Sequence, residues 1–183
     1  MAGFYNWILN QAGWKITHRA PEGVERFVLV IAPHTSMWDF VWGWLILKAM
    51  HLRVKFLIKK EMFWWPVGPV LRGLGGIPVD RSQGSQSVHE ATEALLKATR
   101  LVIAVTPEGT RARTTRWKKG FYRIALGADV PVAFGYLDYK SRSCGIVRIV
   151  CPTGNFEQDV LPVLELYAGK SGRHPDRFSL PDW

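Results

Sequence analysis

The stretch APHTSMWDF, residues 32–40, places His34 and Asp39 five positions apart, directly after an apolar run. In such a pair the carboxylate can hold one ring nitrogen of the imidazole, fix its tautomer and leave the other nitrogen as a general base. No serine or cysteine nucleophile is required if the substrate brings its own hydroxyl. The same residues admit a plainer role. Ser36 as N-cap with Asp39 three residues on resembles a capping box with Asp in place of Glu, and an acidic first turn suits the helix dipole.

A second group, TPEGTR at residues 106–111, closes the apolar run LVIAV. Glu108, a backbone-permissive Gly109, Thr110 and Arg111 should emerge there at a strand's end, along the same edge of the sheet as His34. A tight Pro-Glu-Gly turn is the plain alternative. From Arg111 onward, Arg113, Arg116, Lys118, Lys119 and Arg123 follow with no acidic residue among them, a run that would attract a phosphate or simply lie solvated.

The third group is KKEMFWWPVGPVLRGLGGIPVDR, residues 59–81. Trp64, Trp65 and Pro66 suit a bilayer interface or an acyl chain, with core packing as the alternative. Arg81, just after the apolar IPV, could bind an anion or sit in an exposed ion pair. His89 and Glu93 stand at helical i, i+4 spacing but lack a third ligand, so no metal site is expected.

Positioning these groups requires alternating elements. Apolar runs at Phe27–Ala32, Val54–Ile58, Leu101–Val105, Val130–Leu137 and Gly145–Cys151 read as buried strands. Between them, Trp38, Val41, Trp42, Leu45 and Ala49 have helical spacing, as do Val88, Ala91, Leu95 and Ala98, and again Phe121, Ile124, Ala125 and Ala128. The alternation predicts an α/β fold, one sheet with helices on both faces, within a single domain spanning 1–183. Residues 1–26 are expected as an amino-terminal interfacial segment and 169–183 as a surface tail.

Composition narrows the function. Apolar residues at 48% and charged residues at 21% fit a folded globular chain and not a disordered one. The net charge of +9 favours an anionic partner: nucleic acid, anionic lipid headgroups or a phosphorylated substrate. Nine tryptophans beside that charge match a membrane interface as well as a base-stacking surface. No run supplies the roughly 18 apolar residues of a spanning helix, and no basic n-region precedes a continuous apolar h-region. Cys144 and Cys151 match neither a disulfide framework nor a metal knuckle. A cytoplasmic protein, peripherally associated with the inner face of the membrane, is expected.

Together the three groups resemble the glycerolipid acyltransferase family, the 1-acylglycerol-3-phosphate and related lysophospholipid acyltransferases. HTSMWD resembles its His-four residues-Asp motif at His34 and Asp39; KKEMFWWPVG with GGIPVDR resembles the second motif; PEGTR is present intact from Pro107 to Arg111, followed by Lys119 and Gly120. Where the family shows Val-Pro and then a second proline, VPVAFGYLDY has Pro131 but Phe134 or Gly135. The resemblance implies a glycerol-3-phosphate acyltransferase-like fold. It also implies transfer of a fatty acyl group from acyl-CoA or acyl carrier protein to a lysolipid hydroxyl, with no bound cofactor. By the same resemblance His34 and Asp39 are catalytic, and Arg81, Glu108, Gly109, Thr110 and Arg111 bind the acceptor.

Other readings remain at this stage. The acceptor could be a different lysolipid or a glycolipid. A thioesterase-like hydrolase would direct His34 at water. A basic nucleic-acid-binding module accounts for charge and aromatics, but it leaves His34, Asp39 and PEGTR without a role and shows no recognisable nucleic-acid signature; no nucleic acid is expected as partner.

Overall fold

The computed structural model describes residues 2–20, 22–80 and 84–182. Its sheet has seven strands: β1 (Lys15–His18), β2 (Arg26–Ala32), β3 (Val54–Lys59), β4 (Gly76–Val79), β5 (Leu101–Val105), β6 (Val132–Asp138) and β7 (Ser143–Val150). Their order is β1-β7-β6-β2-β5-β3-β4. The five strands from β6 to β4 run parallel, while β7 is antiparallel to β6 and β1 is parallel to β7. It is a single mixed α/β domain.

The central strand explains why its sequence is a continuous apolar run. Side chains alternate between the faces of a strand, so a strand covered on both sides must be apolar throughout. Val28, Val30 and Ala32 join a cluster with Ala91 and Leu95 of α4 (Gly84–Lys97) and with Phe121, Tyr122, Ile124 and Ala125 of α5 (Gly120–Gly127). Phe27 and Leu29 point the other way, packing with Phe56 and with Leu47 of α2 (Trp38–Ala49). Beyond them α1 (Ala2–Gln11) packs on α2, and a third cluster holds Leu9 and Trp14 with Ile46 and Ala49.

The five expected strands are all present, and so are the three expected helices. Of the spaced residues in α2, Ala49 is buried and Trp42 and Leu45 pack partly buried against the third cluster, but the first two do not face inward. Trp38 and Val41 are exposed, and the buried residues are Asp39, Gly43, Ile46, Leu47 and Ala49. This helix is apolar nearly all round, so its spacing does not single out one inward stripe. Sequence patterning also passed over β1 and β4. Strand β1 is four residues long and mostly exposed at one edge, too short to alternate legibly. Strand β4 contains Pro78, which lacks a ladder N–H and is tolerated because β4 is the other edge strand.

Residues of the 1–26 segment belong to this fold, since β1 pairs with β7 and α1 lies against α2. Trp14, which composition assigned to an interface, is buried against Trp42 and Tyr139. The 169–183 segment is at the surface but fastened: Tyr139 N–H donates to Ser171 O, Ser179 Oγ to Thr114 O, and Asp182 N–H to Thr115 O.

Candidate active site

Strands β6, β2 and β5 are parallel neighbours, with Ala32 beside Tyr136 and Val30 beside Val105. Their chains therefore leave the sheet along one edge, the edge at which open α/β sheets bind ligands. After β2 comes the turn holding His34, after β5 the PEGTR turn, and after β6 Tyr139. The topology brings together three stretches far apart in sequence.

His34 Nδ1 lies 3.2 Å from Asp39 Oδ2. The same oxygen accepts the N–H groups of Thr35 at 2.7 Å and Ser36 at 2.8 Å, and Oδ1 accepts the Tyr139 hydroxyl at 2.8 Å. One carboxylate thus does both things: Asp39 reaches back to the turn that precedes α2 and holds the imidazole, although the helix N-cap is Met37, with no side-chain cap, and not Ser36. Burial works to raise the Asp39 carboxyl, but the hydrogen bonds from His34, Ser36 and Tyr139 outweigh it and keep the group below its ordinary range. Asp39 is an anion at neutral pH. With Nδ1 occupied, Nε2 is the imidazole nitrogen left for a substrate.

His34 and Asp39 line a cavity of about 1030 Å³. Phe56, Leu57, Met62 and Leu71 contribute apolar lining, while Lys59, Thr110, Arg111 and Arg113 bring polar and cationic groups. Such a mixed lining suits an amphiphile, with apolar contacts for a chain and cations for a charged group. Thr110 and Arg111 line the same cavity as His34.

Glu108 stands elsewhere. It is buried, it is not among the cavity-lining residues, and its Oε1 accepts the backbone N–H of His34 at 2.9 Å. Its Oε2 is buried without a hydrogen-bond partner. Burial, first of all, and then the charge of Asp39 push the Glu108 carboxyl up to about 8, against hydrogen bonds that pull it down. Glu108 is therefore neutral at pH 7 and braces the turn. Gly109 also lies off the cavity wall, at φ +64 in the tight turn closed by its N–H to Thr106 O. Arg81 lies outside the described residues.

Sequence reasoning missed Tyr139, Gly172, His174 and Arg177. Tyr139 follows β6 by one residue, and only knowledge that β6 neighbours β2 would have placed it at Asp39. The carboxy-terminal segment brings His174 and Arg177 to the cavity, and its His174 N–H donates to Thr35 Oγ1 at 3.2 Å. Gly172 packs so tightly on Thr35 that a Cβ there would lie 2.5 Å from Oγ1, which explains a glycine at that position. Phe134, which stands where a second proline was looked for, is fully buried and packs edge-on against Phe121.

Several large apolar side chains are left open to solvent: Phe4 and Trp7 on α1, Met37, Trp38 and Val41 at the start of α2, and Trp64 and Trp65 after β3. Among the described residues no helix is long and apolar enough to cross a membrane. Comparison with protein families gives a match to the Acyltransferase family over residues 15–133, well over half of the chain and inclusive of His34, Asp39 and PEGTR. No curated protein matches the chain.

Proposed function

Because the chain belongs to the acyltransferase family, the glycerolipid acyltransferases, we propose that it transfers a fatty acyl group from acyl-CoA or acyl carrier protein to a hydroxyl of a lysophospholipid. The acceptor in this reading is 1-acylglycerol-3-phosphate, and the pathway phospholipid synthesis. The observation that carries it is the 3.2 Å contact of His34 Nδ1 with Asp39 Oδ2 on the wall of a cavity whose lining includes both apolar and cationic side chains.

In this mechanism His34 Nε2 takes the proton of the acceptor hydroxyl as its oxygen attacks the thioester carbonyl, and Asp39 stabilises the imidazolium. When the tetrahedral intermediate collapses, the carbon–sulfur bond breaks and the thiolate leaves with the proton from His34. No acyl-enzyme is formed. Arg111, with Arg81, binds the acceptor phosphate through charge-assisted hydrogen bonds. Glu108 and Gly109 act on the acceptor site indirectly, by shaping the turn that presents Thr110 and Arg111. The exposed aromatic side chains, with the net positive charge, hold the protein at the inner face of the membrane.

Kinetics on two acceptors test the substrate. Arg111→Ala and Arg81→Ala should each raise KM for lysophosphatidic acid by about 10- to 100-fold, the worth of one charge-assisted hydrogen bond, and change monoacylglycerol kinetics much less. Lysine at either position should restore only part. Equal losses on both acceptors would remove the phosphate from the reading.

A further inference from the structure

Asp39 is held from two directions that differ in kind. Its Oδ2 is engaged by His34, Thr35 and Ser36, all in the turn that Asp39 itself closes. Those contacts move with the turn and leave the carboxylate free to pivot about them. Its Oδ1 accepts from Tyr139, and among the described residues that is the contact reaching Asp39 from outside the turn.

Tyr139 is itself well fixed. Its backbone N–H donates to Ser171 O at 2.9 Å, the Ser171 N–H donates to Asp138 Oδ1 at 3.1 Å, and its ring meets Trp14 edge-on at 5.1 Å and 83°. It lies beyond residue 133, outside the stretch that matches the family. We propose that Tyr139 is a positioning residue for acyl transfer, its hydroxyl setting the plane of the Asp39 carboxylate so that Oδ2 stays directed at His34 Nδ1. The inference rests on the reading of His34 and Asp39 as base and orienting carboxylate.

Two physical points favour this over mere satisfaction of a half-buried phenol. A carboxylate anchored at both oxygens by different elements cannot rotate without losing one anchor, and small misplacements of a base lower rate far more than they lower affinity. The phenol also stays a donor: burial, first, and then Asp39 raise it well above its ordinary range, with Arg173 acting in the opposite sense. Glu108 touches His34 through the backbone and not the ring, and Arg111, Arg113, His174, Asp176 and Arg177 line the cavity beside the pair.

The test compares wild type, Tyr139→Phe, Asp39→Asn and the double variant in lysolipid acylation, alongside carbon-13 NMR titration of the Asp39 carboxyl. Phenylalanine keeps the ring against Trp14 and removes the hydroxyl. Tyr139→Phe should lower kcat about tenfold while KM for donor and acceptor stays within about twofold. The Asp39 carboxyl should titrate at higher pH than in wild type, since a donor that lowers it is gone. In the Asp39→Asn background the same change should have no further effect on kcat. An unmoved Asp39 titration, an unchanged kcat, or a full additional loss on top of Asp39→Asn would each overturn the proposal. A wild type that acylates no lysolipid would instead overturn the proposed function, and the NMR titration would still decide whether Tyr139 governs Asp39.

Discussion

The backbone N–H of His34 donates to Glu108 Oε1 at 2.9 Å, so the turn carrying the candidate base is tied to the strand end carrying PEGTR. Two motifs separated by more than seventy residues share one hydrogen bond because β2 and β5 are adjacent and parallel. Glu108, the acidic residue of PEGTR, supports the turn that carries His34.

The burial of Glu108 at this contact should be visible in stability against pH. Burial pushes Glu108 up to about 8 from its ordinary 4.5. The folded state therefore binds this proton more tightly than the unfolded chain does, and the stabilisation is full below 4.5 and lost as pH climbs through about 8. Wild type should lose up to about 1.4 kcal/mol per pH unit within this window. Glu108→Gln, which keeps an oxygen for His34 N–H and cannot ionise, should lack that slope. Thermal unfolding at several pH values measures it, and parallel curves for the two proteins would contradict it.

The carboxy-terminal segment makes a steric prediction. A methyl group at residue 172 would meet Thr35 Oγ1 at 2.5 Å and Cγ2 at 2.6 Å, closer than packed atoms allow. Gly172→Ala should destabilise by about 1 to 3 kcal/mol, as overpacking does, and should also slow the enzyme because Thr35 adjoins His34. Thr35→Ala in the same chain should recover part of the lost stability. A Gly172→Ala protein that melts and turns over like wild type would show that the segment does not brace the turn.

For the membrane, the structure separates tryptophans that composition could not. Trp65 is 82% exposed and Trp7 58%, whereas Trp14 is 3% exposed. Serine at both Trp7 and Trp65 should weaken flotation with anionic liposomes while leaving Tm unchanged, and wild-type binding should fall as salt rises. Trp14→Ala should cost about 3 to 5 kcal/mol of stability, the usual loss for a buried aromatic. Undiminished flotation of the double serine variant at low salt would contradict a membrane-facing role.

How far the sequence could be read depended on what each signal encodes. Buried central strands announce themselves, because both faces must be apolar: Leu101–Val105 was delimited to the residue. The pairing of His34 with Asp39 and the turn at PEGTR were legible because each puts polar residues directly after a buried apolar run. The inner face of α2 was not legible, since a helix apolar on nearly every side has no stripe to read, and its buried residues include the polar Asp39 and the small Gly43. Tyr139 and Gly172 were out of reach for another reason. Their meaning lies in neighbours more than a hundred residues away, Asp39 and Thr35, and local spacing carries no trace of strand order.

The most direct measurement is acyl transfer by purified, folded His34→Ala protein with acyl-CoA and lysophosphatidic acid. Loss of a positioned general base should lower kcat/KM by about 100- to 10,000-fold, with Tm close to wild type because His34 is only partly buried. Near wild-type transfer by that variant would contradict the account, since no base would then be needed where His34 meets Asp39.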